Sequence, residues 1–172
     1  MVHFEWFTWN DPLGMIPDAN LATVILVITA AILFYAAWTD FKSYTIRNDV
    51  IVVLVVLFLA HAVVSGRWSS VPWNVGLTII VFAVLVWFYS LNLVGGGDVK
   101  LLTVALLWTG IDCALPFAVL LLVFVMLHSL AARLGWVGSQ RLPDEDRKRI
   151  PVAPSIAAAL IGIFVSGCLR PM

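Results

Sequence analysis

The sequence predicts an all-α membrane protein whose helices cross a lipid bilayer. Three observations indicate this class: 62% of the 172 residues are hydrophobic, only 12% are charged, and the mean hydropathy is +1.03. A soluble domain is roughly half apolar and about a quarter charged, so a soluble globule is excluded and most of the surface must face lipid. The ten Lys and Arg balance the ten Asp and Glu. Without a basic patch, nucleic acid is not an expected partner.

Six spans are predicted from the long gaps between charged residues. A helix needs about 20 apolar residues to cross a hydrocarbon layer of about 30 Å, and the count of six assumes that the two shorter gaps also cross. No repeat or low-complexity linker divides the chain, so residues 1–172 are expected to form one domain. The spans are expected at Leu21–Thr39, Val50–Ser65, Val71–Leu93, Val99–Gly110, Cys113–Leu134 and Val152–Leu169.

Orientation follows from the positive residues, which are retained on the cytoplasmic side of a membrane. With the N-terminus outside, the inner loops hold all of the ten Lys and Arg except Arg67 and Arg170. Both termini are therefore predicted to lie outside, with residues 135–150 as the main cytoplasmic loop. The start of the chain lacks the basic region of a cleavable signal. Its aromatic residues form either an interfacial belt or part of a disordered tail: Phe4, Trp6, Phe7 and Trp9.

The cysteines and two of the histidines carry weaker signals. Cys113 and Cys168 are far apart in the chain and form no CxxC pair, so neither a zinc site nor a disulfide is predicted from them. His61 and His128 lie in different predicted spans without a partner motif. Both histidines are expected to be packed core or interface residues.

Two aspartates lie where an ionisable side chain is costly. Asp40 closes the first predicted span, and Asp98 opens the fourth directly after Gly95, Gly96 and Gly97. An Asp inside the bilayer costs about 2.5 to 3.5 kcal/mol on the insertion scale, so such residues tend to be functional. Because successive spans run in opposite directions, the end of the first and the start of the fourth lie on the same, cytoplasmic side.

The chemistry expected of this pair is that of an aspartic protease. Two carboxyl groups in a partly desolvated pocket cannot both ionise easily, so they share a proton. The ionised group takes a proton from an attacking water, and the protonated group polarises the peptide carbonyl. From Asp98 to the turn at Gly110 is about 18 Å of helix, so either the bilayer thins there or Asp98 lies below the surface. The same count places Asp40 at the interface.

Other interpretations remain open from the residues alone. Asp40 can be an ordinary interfacial charge paired with Lys42, and Asp98 can belong to an exposed glycine-rich loop. A proton-coupled membrane carrier also uses intramembrane carboxylates, but carriers place them near mid-bilayer and show internal repeats. A non-catalytic membrane scaffold is the remaining alternative.

Two segments resemble a known family. Residues 95–102, Gly-Gly-Gly-Asp-Val-Lys-Leu-Leu, resemble the G-x-G-D-[VL]-K-L signature of type IV prepilin peptidases, the polytopic aspartyl proteases that mature pilins. Residues 40–48 resemble the family's first-aspartate segment, with Arg47 where proline is usual. Residues 150–153 resemble its I-P-Y-G stretch before the last helix, with Val-Ala in place of Tyr-Gly.

The resemblance implies a GxGD-type intramembrane aspartyl protease with Asp40 and Asp98 as the catalytic pair. It implies an active-site loop of Gly95, Gly96, Gly97 and Lys100, with Lys42 and Asn48 as candidates for substrate contact or support. Lys100 is the signature lysine and is expected to help to keep one carboxylate ionised.

The resemblance also implies the substrate and the location. The substrate is a prepilin or pseudopilin whose short basic leader stays in the cytoplasm while its hydrophobic helix lies in the inner membrane, and cleavage is expected on the cytoplasmic side. The paired CxxC motifs of the long, methylating members are absent from the sequence. The chain is therefore similar to the short, peptidase-only type of tight-adherence pili or archaeal preflagellin processing. No metal and no cofactor are expected.

Overall fold

The computed structural model describes residues 19–43, 46–134 and 152–168. These ranges are helical apart from turns and contain no strand, which confirms the all-α prediction. A 3-10 turn at Trp68–Ser70 precedes the third helix. The helices are α1 Ala19–Ser43, α2 Asn48–Val64, α3 Val71–Ser90, α4 Gly96–Arg133 and α5 Ala153–Ser166.

The helices have the composition of membrane spans. Three stretches are long and apolar enough to cross a bilayer: Asn20–Asp40, Trp68–Ser90 and Gly96–Ala131. α2 and α5 are apolar but shorter, with 17 and 14 residues. α3 buries only Thr78 and Leu85 within the bundle, so most of its apolar side chains point outward, as expected of a helix in lipid. Crossing by six separate spans stays a prediction.

α4 is broken at Gly110, where the backbone has φ 59° and ψ −165°. A straight helix of its 38 residues would be about 57 Å long, almost twice the thickness of a hydrocarbon layer. The break divides the helix into α4a (96–109) and α4b (111–133). It lies where the sequence predicts that the fourth and fifth spans separate.

Contacts between helices define two ends of the bundle. Lys100 Nζ in α4a donates to Asn48 Oδ1 at the start of α2 over 2.9 Å. Farther along both helices, Trp108 Nε1 donates to the Leu54 carbonyl over 3.1 Å. α2 and α4a therefore run parallel. We call the end at which they start the aspartate end, because Asp98 lies there.

α4b returns to the aspartate end. Cys113 in its first turn is disulfide-bonded to Cys168 after the end of α5, whereas His128 lies near Ser155 at the start of α5, with 3.4 Å between Nδ1 and Oγ. α4b and α5 are therefore antiparallel. The start of α5 meets the end of α1, where Asp40 accepts a hydrogen bond from the first α5 amide. Since α2 begins shortly after α1 ends, these contacts all lie at the aspartate end.

The opposite end, which we call the disulfide end, is held by a covalent bond and an ion pair. The Cα atoms of Cys113 and Cys168 are 6.3 Å apart, and Arg67 Nη2 after α2 lies 3.4 Å from Asp112 Oδ2. The sequence alone predicts no disulfide, and the structure corrects this. The two cysteines are distant in the chain, but the reversal at Gly110 brings them to the same end.

Trp108 occupies the centre of the core and is 2% exposed. Its ring packs against Phe58, His61 and Phe164, with centroid separations of 5.8, 5.5 and 5.4 Å. These partners come from α2 and α5, so one side chain of α4a joins three helical segments. His61 is a packed core residue, as predicted.

Replacement of Gly110 by alanine is expected to destabilise the protein. The backbone conformation at Gly110 is one that only glycine adopts readily, so a side chain there costs about 1–3 kcal/mol. A Cβ atom would also lie 2.6 Å from Asn74 Cγ. Thermal unfolding in detergent should show a lowered midpoint for Gly110→Ala. The control is Gly76→Ala in α3, where a Cβ meets no atom within 4 Å; equal midpoints for the two variants would contradict the role of the break.

Candidate active site

Asp40 is buried at the end of α1. The residue is only 5% exposed, and its carboxylate accepts a hydrogen bond from the backbone amide of Ala153. Its Oδ2 atom is buried and has no hydrogen-bond partner among the described residues. A buried carboxylate oxygen without a partner is unusual in a folded protein. The described residues around Asp40 therefore satisfy only part of the hydrogen-bonding capacity of its carboxyl group.

The first turn of α5 explains why Asp40 is held there. A helix begins with amides that have no partner within the helix. In α5, Pro154 has no amide hydrogen, and the amides of Ser155 and Ile156 bond to the Val152 carbonyl at 2.9 and 3.1 Å. The Ala153 amide is left, and no side chain of the N-cap residue bonds to it. Asp40 satisfies this amide from another helix and so acts as the cap of α5.

Asp98 lies in the first turn of α4 and is half-buried. The turn closes when the Val99 amide donates to the Gly95 carbonyl over 3.1 Å. A Cβ atom on Gly95 would lie 3.1 Å from Asp98 Oδ2, closer than carbon and oxygen ordinarily approach. Any other residue at position 95 would therefore press on the carboxylate. Glycine at position 95 therefore lets the Asp98 carboxylate lie close to the backbone.

The other two glycines of the loop lie against different neighbours. A Cβ on Gly96 would lie 3.3 Å from the Tyr89 ring at the end of α3, which is a tight contact. A Cβ on Gly97 would lie 3.5 Å from Ile46 before α2, at ordinary van der Waals distance. The loop therefore lies between the end of α3 and the residue Ile46 before α2. Of the three glycines, Gly95 is the one that lies against a charged side chain.

One residue of the predicted active-site loop, Lys100, contacts one predicted supporting residue, Asn48. Lys100 donates to Asn48 over 2.9 Å, which ties the start of α4a to the start of α2. Lys42 lies elsewhere, with its Nζ 5.0 Å from the centroid of the Trp38 ring on its own helix, where a cation–π contact forms. The structure therefore gives Lys42 a local contact and gives Lys100 a role between helices.

Two residues near Asp40 were not predicted as site residues. Ser155 is buried in the same turn of α5 as Ala153, and its Oγ lies 3.4 Å from Nδ1 of His128 in α4b. The other ring nitrogen of His128, Nε2, is buried without a hydrogen-bond partner among the described residues. The predicted topology could have placed both residues on the side of the aspartates, because the fifth span ends and the sixth begins on that side.

Parts of the predicted site lie outside the described residues. These are positions 44–45 of the first-aspartate segment, the predicted cytoplasmic loop at 135–150 with the following Pro151, and the aromatic residues near the start of the chain. Within the described ranges, no group of three or more His, Cys, Asp or Glu side chains could hold a metal ion.

The described arrangement places two carboxyl groups at one end of the bundle, each beside the N-terminus of a helix. Asp40 caps α5, and Asp98 lies within the first turn of α4. The positive end of a helix stabilises a nearby carboxylate, whereas burial favours its neutral form. Carboxyl groups under such opposing influences can hold or release a proton, which is what acid–base catalysis requires.

Comparison with known proteins identifies one family. Residues 27–169 match the model of the type IV leader peptidase family, and the match includes both aspartates. No curated protein and no solved structure matches the chain.

The cap on α5 predicts a stability difference between two substitutions of Asp40. Asp40→Asn keeps an oxygen that can accept from the Ala153 amide, whereas Asp40→Ala leaves that amide without a partner. The alanine variant should be less stable than the asparagine variant by about 1 kcal/mol, as measured by denaturant unfolding in micelles.

The matched control is Asp49, an exposed residue paired with Arg47. Its alanine and asparagine variants should differ by less than about 0.5 kcal/mol. If the alanine variant of Asp40 were as stable as the asparagine variant, the capping role would be wrong.

Proposed function

Since the chain belongs to the type IV leader peptidase family, we propose that it is a membrane aspartyl endopeptidase that removes the leader of prepilins or prepilin-like proteins on the cytoplasmic side. Asp40 and Asp98 are the proposed catalytic pair. The observation that carries the proposal is the family match over residues 27–169. The location of both carboxyl groups at one end of the bundle supports it.

The proposed reaction uses one carboxylate and one carboxylic acid. The carboxylate takes a proton from water as the water oxygen attacks the peptide carbonyl, and the acid gives its proton to the carbonyl oxygen. As the tetrahedral intermediate collapses, the C–N bond breaks, and the aspartate that took the proton from water gives it to the leaving amine. The other aspartate recovers its proton from a hydroxyl of the intermediate as the carbonyl re-forms. No covalent intermediate with the protein is formed. Asp40 Oδ2, which lacks a partner among the described residues, is the oxygen that we assign to this exchange.

The two aspartates have different surroundings that suit this reaction. Asp40 is held by the amide of Ala153 and is almost fully buried. Asp98 is half-buried beside Gly95, where the absence of a side chain lets the carboxylate lie close to the backbone. We infer that the substrate backbone approaches the glycine loop beside this carboxylate, because an extended peptide can approach a glycine closely.

The proposed substrate is a prepilin-type protein with a short basic leader and a hydrophobic helix. Its leader remains in the cytoplasm while its helix lies beside the bundle in the bilayer, so the bond to be cut lies at the inner boundary of the membrane. We place the chain among the short, peptidase-only members, since its two cysteines pair with each other rather than forming a CxxC motif.

The proposed topology has six spans, with both termini outside and the aspartates facing the cytoplasm. The disulfide supports this orientation independently of the positive residues. Disulfides form and persist in oxidising compartments outside the cytoplasm. Cys113 and Cys168 lie at the end opposite the aspartates, so an external disulfide end places Asp40 and Asp98 on the inner side.

Asp40→Asn and Asp98→Asn are each expected to lower leader cleavage by at least about 100-fold, because acid–base catalysis contributes about 10²–10⁴-fold. The purified protein is incubated with prepilins, and the released leader is measured by mass spectrometry. The matched controls are Asp49→Asn and Asp112→Asn, which alter exposed acidic residues in ion pairs and should cleave normally. Normal cleavage by either variant of the proposed pair would refute its catalytic role.

The orientation is tested by labelling single cysteines in a variant that carries Cys113→Ser and Cys168→Ser. Ser69→Cys lies at the disulfide end and Arg47→Cys at the aspartate end, and both positions are exposed. In intact cells, a membrane-impermeant maleimide should modify position 69 but not position 47, which reacts only after permeabilisation. The reverse pattern would overturn the topology without affecting the assignment of the aspartates.

A further inference from the structure

Ser155 forms an unusual contact for a hydroxyl group in this bundle. Seven hydroxyl groups within the described helices donate to a carbonyl of their own helix: those of Thr29, Thr39, Thr78, Ser90, Thr103, Thr109 and Ser166. Ser155 lies in the first turn of α5, where the preceding helical turn is absent. Its hydroxyl lies instead against another helix, 3.4 Å from His128 Nδ1.

This contact connects α4b to the turn that holds Asp40. Ser155 is 4% exposed and lies two positions after Ala153, whose amide donates to the Asp40 carboxylate. Because both residues belong to one rigid helical turn, a shift of Ser155 moves the amide of Ala153 with it. His128 thus fixes the amide through α5, although it does not itself contact the carboxylate through any described bond.

The second nitrogen of His128 adds to the case for a specific role. Nε2 is buried and has no partner among the described residues. A buried polar atom without a partner is unfavourable, and a leucine or phenylalanine would avoid that cost within an apolar helix. The benefit of histidine at this position must therefore come from Nδ1, the nitrogen that faces Ser155.

We propose that His128 and Ser155 are positioning residues that hold the α5 amide against Asp40 and so fix that carboxylate for catalysis. The inference rests on the proposed peptidase function. Neither residue touches the substrate, so their loss should reduce kcat and leave KM nearly unchanged. A small displacement of a reacting group lowers a rate by roughly 10- to 100-fold, which is the expected loss for Ser155→Ala and for His128→Phe.

The test compares these variants with a conservative replacement. Asparagine places a polar atom close to the position of Nδ1, so His128→Asn should recover most of the kcat that His128→Phe loses. Ser166→Ala is the matched control, because it removes a hydroxyl at the other end of α5 that bonds only within its own helix. It should cleave prepilin at the normal rate.

The outcomes distinguish the inference from the function on which it rests. If the wild-type protein releases no leader, the proposed function fails. If the wild type is active and Asp98→Asn is inactive, but Ser155→Ala keeps its full kcat, the positioning role is overturned and the function stands. Equal losses in His128→Phe and His128→Asn would also overturn it. If His128→Phe does not fold, the kcat of Ser155→Ala alone tests the positioning role.

Discussion

The fold depends on the reversal of the chain at Gly110. The 38 residues of α4 are apolar enough to continue as one helix, but such a helix would extend far beyond a bilayer of about 30 Å. A left-handed backbone at a single glycine resolves this conflict. It sends α4b back beside α5, brings Cys113 to Cys168, and returns His128 to the end at which α4a began. Every contact around Asp40 that involves α5 follows from that return.

Asp40 is held in place because α5 needs a hydrogen-bond acceptor for its first amide. The first amides of any helix need partners, and Ala153 at the start of α5 is buried within the protein, away from bulk water. α5 begins with a valine N-cap that offers no side-chain oxygen and continues with a proline. The carboxylate at the end of α1 supplies the missing acceptor. One hydrogen bond therefore completes a helix and fixes a candidate catalytic group, so the requirements of the fold and of the site coincide in Asp40.

The sequence predicts the helices and the common side of the two aspartates, because charges are excluded from spans and successive spans alternate in direction. It also predicts the break near Gly110 from the position of Asp112. It does not predict the partners of Asp40, the contact between Lys100 and Asn48 or the pairing of the cysteines. Those depend on how each helix is rotated about its axis. In a soluble helix the apolar face reveals the rotation, whereas helices in lipid are apolar on every side and leave it undetermined.

The two ends of the bundle are stabilised by interactions of different strength. The disulfide and the Arg67–Asp112 ion pair lie at one end. At the other, the described contacts between helices include single hydrogen bonds from Ala153 to Asp40, from Lys100 to Asn48 and between Ser155 and His128. Single hydrogen bonds contribute about 0.5–1.5 kcal/mol each, so each of these three contacts is weaker than the covalent bond that keeps α4b and α5 together. This difference suits the proposed peptidase, because a substrate peptide has to reach the two carboxyl groups and an end closed by a covalent bond would exclude it.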